Sequence, residues 1–189
     1  MLFTSEQVSS GHPDKICDQI SDAIVTDCLL NDRNSRVAVE CMIKDYDITI
    51  AGEITSSHTP DFKDLTYSVL AGIELPNIEQ YTVNRLISKQ SPDIALGVDQ
   101  QGAGDQGMMF GYATNETREM LPVPFVLATA ALERLKDSRN PFLLPDAKSQ
   151  VTYDYKRKRI DTFLISTQHT KHASLEDVRE AVQTVMQET

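Results

Sequence analysis

The sequence predicts an α+β fold built from repeated two-layer units, in which small sheets are covered by helices on one face. Hydrophobic patterns of helical and strand-like period alternate along the 189 residues. Neighbouring strand patterns are joined by links short enough for hairpins. The predicted order is helix–strand–strand–helix–strand, a long loop, and helix–strand–strand–helix. The second half therefore repeats the architecture of the first, without an evident sequence repeat.

The first predicted helix spans about residues 14–30. Pro13 suits its first turn, because the N–H group that proline lacks would have no helical partner there. Apolar residues recur at near-helical spacing and are Ile16, Ile20, Ile24 and then Leu29 or Leu30.

Two strands are predicted next, over Arg36–Lys44 and Asp47–Thr55, with residues 45–47 as a hairpin link. Their main apolar stripes alternate with a second face that carries Glu40 and Glu53. Pro60 opens a second predicted helix, whose apolar positions are Phe62, Leu65, Val69 and Ile73, and residues 81–89 resemble a third strand.

The region from Gln90 to Gly111 is predicted to be a long loop, because it contains five glycines and one proline. Loops of this length in compact domains are usually functional or mobile. A helix is predicted at 123–137, followed by a hairpin of Lys148–Tyr155 and Arg159–Ser166. Ser174 and Asp177 have capping-box-like spacing and predict the start of a last helix.

Composition excludes some classes of function. The net charge is −10, which disfavours a nucleic-acid binder that works through a general basic field but permits a local basic pocket for phosphate. The apolar runs are too short to cross a membrane, and the sequence shows no secretory signal. Cys17, Cys28 and Cys41 are odd in number and lack a CxxC pair, which favours a reduced, cytoplasmic setting.

The segment Gly11–Lys15 stands where the first helix begins. A helix start presents unpaired N–H groups and a partial positive charge, which favours phosphate. His12 and Lys15 add donors, and Asp14 could hold a divalent metal ion through a hard oxygen. The alternative is a capped helix start with solvated charges.

Other candidates are weaker by themselves. The glycine-rich stretch 101–107 is either a phosphate cradle or a flexible hinge, and it lacks the usual nucleotide-binding patterns. Glu40 and Glu53 could bind a cation or an ammonium group, or could face water. Lys148 could reach a phosphate or be an ordinary strand-end charge. His58, His169 and His172 lack metal-ligand spacing and are interpreted as surface or hydrogen-bonded histidines.

Six blocks of the chain, taken together, resemble the S-adenosylmethionine synthetases (methionine adenosyltransferases) and follow in that family's order. They are Phe3–Val8 with Gly11–Lys15, Gly52–Thr55, Lys89–Ile94, Gly102–Gly107 with Met109–Thr117, Pro145–Val151, and Ser166–His169. The resemblance covers nearly the whole chain.

The resemblance implies synthesis of S-adenosylmethionine from ATP and L-methionine, with release of phosphate and diphosphate. The methionine sulfur attacks the ribose 5′ carbon and expels the triphosphate. Because a thioether needs no general base, catalysis is expected to come from positioning and electrostatic stabilisation. The implied ATP-binding residues are His12, Lys15, Asp146, Ala147 and Lys148. The implied catalytic residues are His12, Lys15, Asp105 and Lys148.

The same resemblance implies two metal ions and a methionine site. Asp14 corresponds to a magnesium ligand and Glu40 to the glutamate of the potassium site. Glu53 and Gln90 correspond to methionine contacts, and a carboxylate suits the substrate ammonium. The segment 95–104 resembles the mobile loop that gates the site.

The implied organisation is an N-terminal domain over residues 1–97 and an incomplete central domain over 98–189. Because family members have roughly twice this length, the resemblance implies that the C-terminal domain is absent from this sequence. The family's sites lie between two subunits, so a homo-oligomer or a complementary chain is the expected partner. Neither nucleic acid nor membrane is expected as a partner. The alternative is a non-catalytic truncated homologue that binds nucleotide or a full-length partner and regulates assembly.

Overall fold

The computed structural model of the chain describes residues 1–98, 102–103 and 106–189. These residues form six strands and five α-helices, with one 3₁₀ turn at Ile78–Gln80. The elements are β1 (Leu2–Val8), α1 (Pro13–Asn31), β2 (Arg36–Lys44), β3 (Asp47–Thr55), α2 (Phe62–Ile73), β4 (Thr82–Ser88), α3 (Pro92–Val98), α4 (Val123–Asp137), β5 (Leu143–Asp154), β6 (Arg159–His169) and α5 (Leu175–Glu188).

The chain divides into two compact units. Unit 1 comprises Met1–Lys15 and Gly111–Thr189, and unit 2 comprises Ile16–Phe110. The domain boundary expected between residues 97 and 98 stays a prediction. None of the helices in the described residues combines the length and the apolarity that a membrane crossing needs.

Unit 2 contains a three-stranded sheet in the order β2-β3-β4, in which β2 and β3 are antiparallel and β3 and β4 are parallel. The parallel pair is connected through α2, as such a crossover requires. One face of the sheet belongs to the core, which also takes in α1 and α2. The opposite face of β2 is exposed at Ala38, Glu40 and Met42.

Unit 1 contains an antiparallel sheet in the order β1-β5-β6. Helix α4 packs against β1 and β5, and α5 packs against β6. The helix-facing positions of β5 are buried at Ala147, Ser149 and Val151, whereas Lys148 lies on the other face and is exposed. Each unit thus has a sheet that helices cover on one face, which confirms the predicted α+β class.

Strand β5 begins five residues before its predicted start and β6 ends three residues after its predicted end, and two further elements were not predicted at all. Strand β1 was not expected, because Leu2–Val8 is largely polar and exposed and shows no clear alternation; pairing with β5 makes it a strand. The predicted long loop is wrong at its start, where α3 forms. Ser91 and Pro92 supply the reason: the Ser91 hydroxyl accepts a hydrogen bond from the Asp93 amide (3.3 Å), and proline suits the first helical position.

The apolar stripe of α1 is the centre of the unit 2 core. Ile20 and Ile24 are completely buried, whereas Leu30 on the same helix is 81% exposed. We expect Ile20→Ala to lower the free energy of unfolding by about 2–5 kcal/mol, because it leaves a cavity. Leu30→Ala should change it by no more than about 0.5 kcal/mol. Urea titrations followed by far-UV circular dichroism suit a chain without tryptophan. Equal midpoints for the two variants would contradict this packing of α1.

A hydrogen-bond network ties the segment after α1 to the segment after β3. The Asp32 carboxylate accepts three hydrogen bonds. They come from the backbone N–H of Ser57 (2.8 Å), the Ser57 hydroxyl (2.9 Å) and the backbone N–H of Asn34 (2.9 Å). These bonds hold the pKa of Asp32 below its ordinary value, with the Ser57 amide as the largest cause. Close by, His58 Nε2 lies 2.7 Å from Asp27 Oδ2.

The lowered pKa of Asp32 predicts a pH dependence of stability. A carboxyl whose pKa is lower in the folded state stabilises the fold above its unfolded pKa of about 3.8. That stabilisation is lost as the pH falls through the folded value. Asp32→Asn should therefore lower the urea midpoint at pH 7 and reduce the further loss between pH 7 and pH 3. Asp22→Asn, on an exposed position of α1, is the control. If the urea midpoint of Asp32→Asn fell between pH 7 and pH 3 as much as that of the wild type, the stabilising role of the Asp32 carboxylate would be refuted.

Candidate active site

In unit 1, the turn between β1 and α1 is fastened to the start of β5 by Ser9. Its hydroxyl donates to the Pro145 carbonyl (2.6 Å) and accepts from the Ala147 amide (2.7 Å). The Ser9 amide donates to the Ala147 carbonyl (2.9 Å). Sequence reasoning did not single out Ser9; its only signal was a small hydroxyl residue two positions before the glycine of the helix start.

Gly11 lets the turn approach β5 closely. A Cβ atom at this position would lie 2.6 Å from the Pro145 carbonyl oxygen, well inside van der Waals contact. Only glycine fits this position without a backbone shift. The first turn of α1 is thereby held beside the residues that follow Pro145.

His12 is oriented by the backbone of α1. Its Nδ1 accepts a hydrogen bond from the Asp14 amide (3.2 Å), so a neutral ring carries its proton on Nε2. The His12 side chain is 17% exposed, whereas that of Asp14 is 84% exposed, with Asp14 Oδ2 3.7 Å from Nδ1. His12 can therefore donate from Nε2 to an anion, and Asp14 offers a carboxylate to solvent or to a metal ion.

Asp146, Ala147 and Lys148 lie in the first half of β5 and alternate between the two sides of the sheet. Ala147 is buried on the helix-covered side, Asp146 is half-buried and Lys148 is exposed. Burial raises the pKa of Asp146, while electrostatic interactions with His12 and Lys148 act to lower it. The structure thus places His12, Asp146 and Lys148 in one electrostatic group, and Lys15 lies exposed in the adjoining first turn of α1.

This group has the chemistry of an anion site. Together with Lys15 in the adjoining turn, it combines the N-terminus of a 19-residue helix with one imidazole and two ammonium groups. Unpaired helix N–H groups and nearby cations favour phosphate oxygens.

In unit 2, Glu53 and Gln90 line one cavity of about 380 Å³. This volume lies within the usual range for small-molecule pockets. Glu53 is half-buried in β3, opposite Ala38 of β2. The backbone N–H of Gln90, just after β4, donates a hydrogen bond to Thr55 Oγ1 (3.3 Å) at the end of β3. The remaining residues that line the cavity are Val25, Leu29, Ser35, Arg36, Val37 and Ala38.

Gly52 permits the backbone that precedes Glu53. Its φ angle is +146°, a region that residues with a side chain rarely adopt, and an added Cβ would strike the Ala38 carbonyl oxygen. Close pairing of β2 with β3 at this point therefore requires glycine. This pairing sets the position of Glu53, the next residue, at the cavity.

The structure says less about the roles of the remaining predicted site residues. Glu40 is exposed on the same face of the sheet as Glu53. Asp105 lies outside the described residues, as does part of the segment 95–104. Within residues 1–98, 102–103 and 106–189, groups of three or more His, Cys, Asp or Glu side chains that could together hold a metal ion are absent. The potassium role of Glu40 stays a prediction.

Within unit 1, a further contact, which the sequence did not suggest, ties the segment before α4 to the residue that follows β5. The Tyr155 hydroxyl donates to Glu116 Oε2 (2.6 Å), which also accepts from the Val123 amide (3.3 Å). Burial and the Glu116 carboxylate raise the pKa of Tyr155 to about 12, so the phenol remains a donor at neutral pH. The contact anchors the residues that lead into α4.

Comparisons with known proteins identify the family of the chain. Residues 1–92 match the model of the S-adenosylmethionine synthetase N-terminal domain, and residues 100–189 match that of the central domain. The chain is also similar to the solved structure of an unusual S-adenosylmethionine synthetase from Campylobacter jejuni, with 34% identity and a TM-score of 0.87. That match covers 98% of this chain and 53% of the other, so this chain spans about half the length of that relative.

Two family models and a solved structure thus cover nearly the whole sequence, and they confirm the resemblance carried by the six blocks. The chain belongs to the S-adenosylmethionine synthetase family.

Proposed function

We propose that this chain takes part in the synthesis of S-adenosylmethionine from ATP and L-methionine, with release of phosphate and diphosphate. The observation that carries the proposal is the electrostatic group in unit 1: Ser9 holds the turn before α1 against β5, and both His12 and Lys148 act electrostatically on Asp146. This group supplies what a departing triphosphate needs, namely fixed donors and positive charge.

In this proposal His12 and Lys148 act on the triphosphate. His12 Nε2 donates to the oxygen that leaves the ribose, and Lys148 neutralises the phosphates together with Lys15. Because the sulfur is neutral and already nucleophilic, the chain's residues have only to orient the substrates and stabilise the leaving group. The pocket at Glu53 and Gln90 would receive methionine.

Magnesium and potassium are the metal ions that the family implies. Mg²⁺ is usually bound by one or two carboxylates together with substrate phosphates, and the exposed Asp14 beside His12 fits that pattern. The bound ion would supply charge neutralisation of the polyphosphate. For K⁺ the chain offers the exposed Glu40, a single hard ligand.

We also propose that activity needs the part of the family fold that these residues do not contain, supplied by a continuing or a separate chain. The 53% coverage of the Campylobacter jejuni relative supports this requirement. The proposal also includes that the chain works as part of a homo-oligomer and in the cytoplasm. The same coverage is also compatible with the alternative, a non-catalytic homologue that binds nucleotide or a full-length partner.

The test is S-adenosylmethionine formation, measured by chromatography with ATP, L-methionine, Mg²⁺ and K⁺. The chain is assayed alone and after assembly with the remaining half of a family member, and solution mass verifies the assembly. We expect product from the assembly and none from the chain alone. An assembly that binds both substrates without making product would favour the non-catalytic alternative. Product from the chain alone would refute the need for a completing part.

A further inference from the structure

Unit 1 contains a cavity of about 610 Å³ that has no role in the proposed function. It lies between the end of α4, the connection to β5 and one side of α5. Its lining combines apolar side chains with charged ones, and four of the charged ones are carboxylates, namely Asp137, Asp177, Glu180 and Glu188. The volume is within the usual range for a binding pocket, so this acidic cavity can receive side chains from a partner.

The charges around the acidic cavity favour a cationic occupant. Arg134 and Arg139 also line it, but the carboxylates outnumber them. Within the residues that the structure describes, none of the four carboxylates forms an ion pair with a lysine, arginine or histidine. Both α4 and α5 end at residues of the lining, and the C-terminus of a helix carries a partial negative charge that adds to this preference.

The chain carries a matching cationic surface in the turn between β5 and β6. This basic turn consists of four consecutive exposed side chains, those of Lys156, Arg157, Lys158 and Arg159. Among the described residues, Arg157 alone of the four has an ion-pair partner, Asp154 at 3.8 Å. Asp154 Oδ1 also accepts hydrogen bonds from the backbone N–H groups of Lys156 (2.9 Å) and Arg157 (3.3 Å). Because the turn is already ordered, docking would cost it little conformational freedom.

The acidic cavity and the basic turn lie at opposite ends of β5. The cavity lining includes Phe142, the residue before this strand, and the turn follows Asp154, the last residue of the strand. A strand of 12 residues spans roughly 40 Å. The basic turn is therefore too far away to enter the cavity of its own chain, but it can enter the cavity of a second copy.

We propose that the basic turn of one copy of this chain docks in the acidic cavity of a second copy. Because the two surfaces differ, the contact is head-to-tail and can continue into a ring or an open chain of copies. The contact is small and electrostatic, so we expect it to be weak and sensitive to salt. Neither surface contains a residue that the proposed function uses, so the two proposals can fail separately.

The test measures the mass of the full chain by sedimentation equilibrium at about 20 mM and about 500 mM salt. We expect the wild-type mass to rise with protein concentration at low salt, and this rise to disappear at high salt. Two neutralised variants are compared with it, Lys156→Gln/Lys158→Gln in the turn and Glu180→Gln/Glu188→Gln in the cavity. Each should weaken self-association at low salt roughly tenfold.

Mixing the two neutralised variants tests the head-to-tail geometry. The mixture retains one unaltered turn and one unaltered cavity on different chains, so it should form a complex of one copy of each variant and grow no further. Glu119→Gln/Glu133→Gln makes the same charge change as the cavity variant at exposed positions of unit 1 outside the lining, and it should behave like the wild type.

Three results would overturn the inference: a wild-type mass that does not respond to salt, an equal loss in the control variant, or no complex in the mixture. Self-association that persists unchanged in both neutralised variants would also overturn it, because the copies would then meet through another surface. The salt response of the wild type needs no substitution, so it tests the inference even if a variant fails to fold.

Discussion

Lys148→Ala is expected to lower kcat of the assembled enzyme about a hundredfold, with little change in the KM for methionine. Lys148 lies on the exposed side of β5, and it acts electrostatically on Asp146, as His12 does. In our proposal this charge meets the triphosphate as its bond to the ribose breaks. An interaction that strengthens in the transition state affects kcat more than substrate binding.

Lys156→Ala is the matched control for this experiment, because Lys156 is an exposed lysine in the turn between β5 and β6. Both variants are assayed for product formation at saturating ATP and at varied methionine. Unchanged turnover in Lys148→Ala would remove this residue from the catalytic assignment. An equal loss in Lys156→Ala would attribute the effect to general charge and not to position.

The sequence predicts the helices and strands of this chain best where one face is buried, because apolar residues then recur at the period of the helix or strand. Helix α1 was predicted within one residue at either end, because Ile16, Ile20 and Ile24 recur on the face that enters the core. Strand β1 shows no clear pattern of its own, and pairing with β5, more than 130 residues later, makes it a strand. Such long-range pairing has no local signature.

The candidate site likewise depends on long-range contacts that have no local sequence pattern. His12 and Lys148 are 136 positions apart, and spacing alone left both with ordinary structural alternatives. The pairing of Val8 with Lys148 and the Ser9 contacts bring the two segments together. Ser9 was missed because a serine in a turn is unremarkable in sequence, and its contacts with Pro145 and Ala147 depend on the pairing of β1 with β5.

Glu53→Gln should raise the KM for methionine of the assembled enzyme roughly tenfold, while the KM for ATP stays close to its wild-type value. The substitution keeps the shape of the side chain and removes the charge that pairs with the substrate ammonium. A hydrogen bond to a charged group contributes about 1.5–3 kcal/mol, and the lower part of that range is appropriate because Glu53 is only half-buried.

Glu79→Gln is the matched control, since it removes an exposed carboxylate of unit 2 from the 3₁₀ turn, outside the cavity lining. Initial rates are measured against methionine at fixed ATP, and then against ATP at fixed methionine. A methionine dependence that does not change in Glu53→Gln would reject the ammonium-binding role. A parallel rise in both KM values would point to a general disturbance of unit 2. A selective rise for methionine requires that the Glu53 charge acts on that substrate, because the backbone constraint at Gly52 is the same in both proteins.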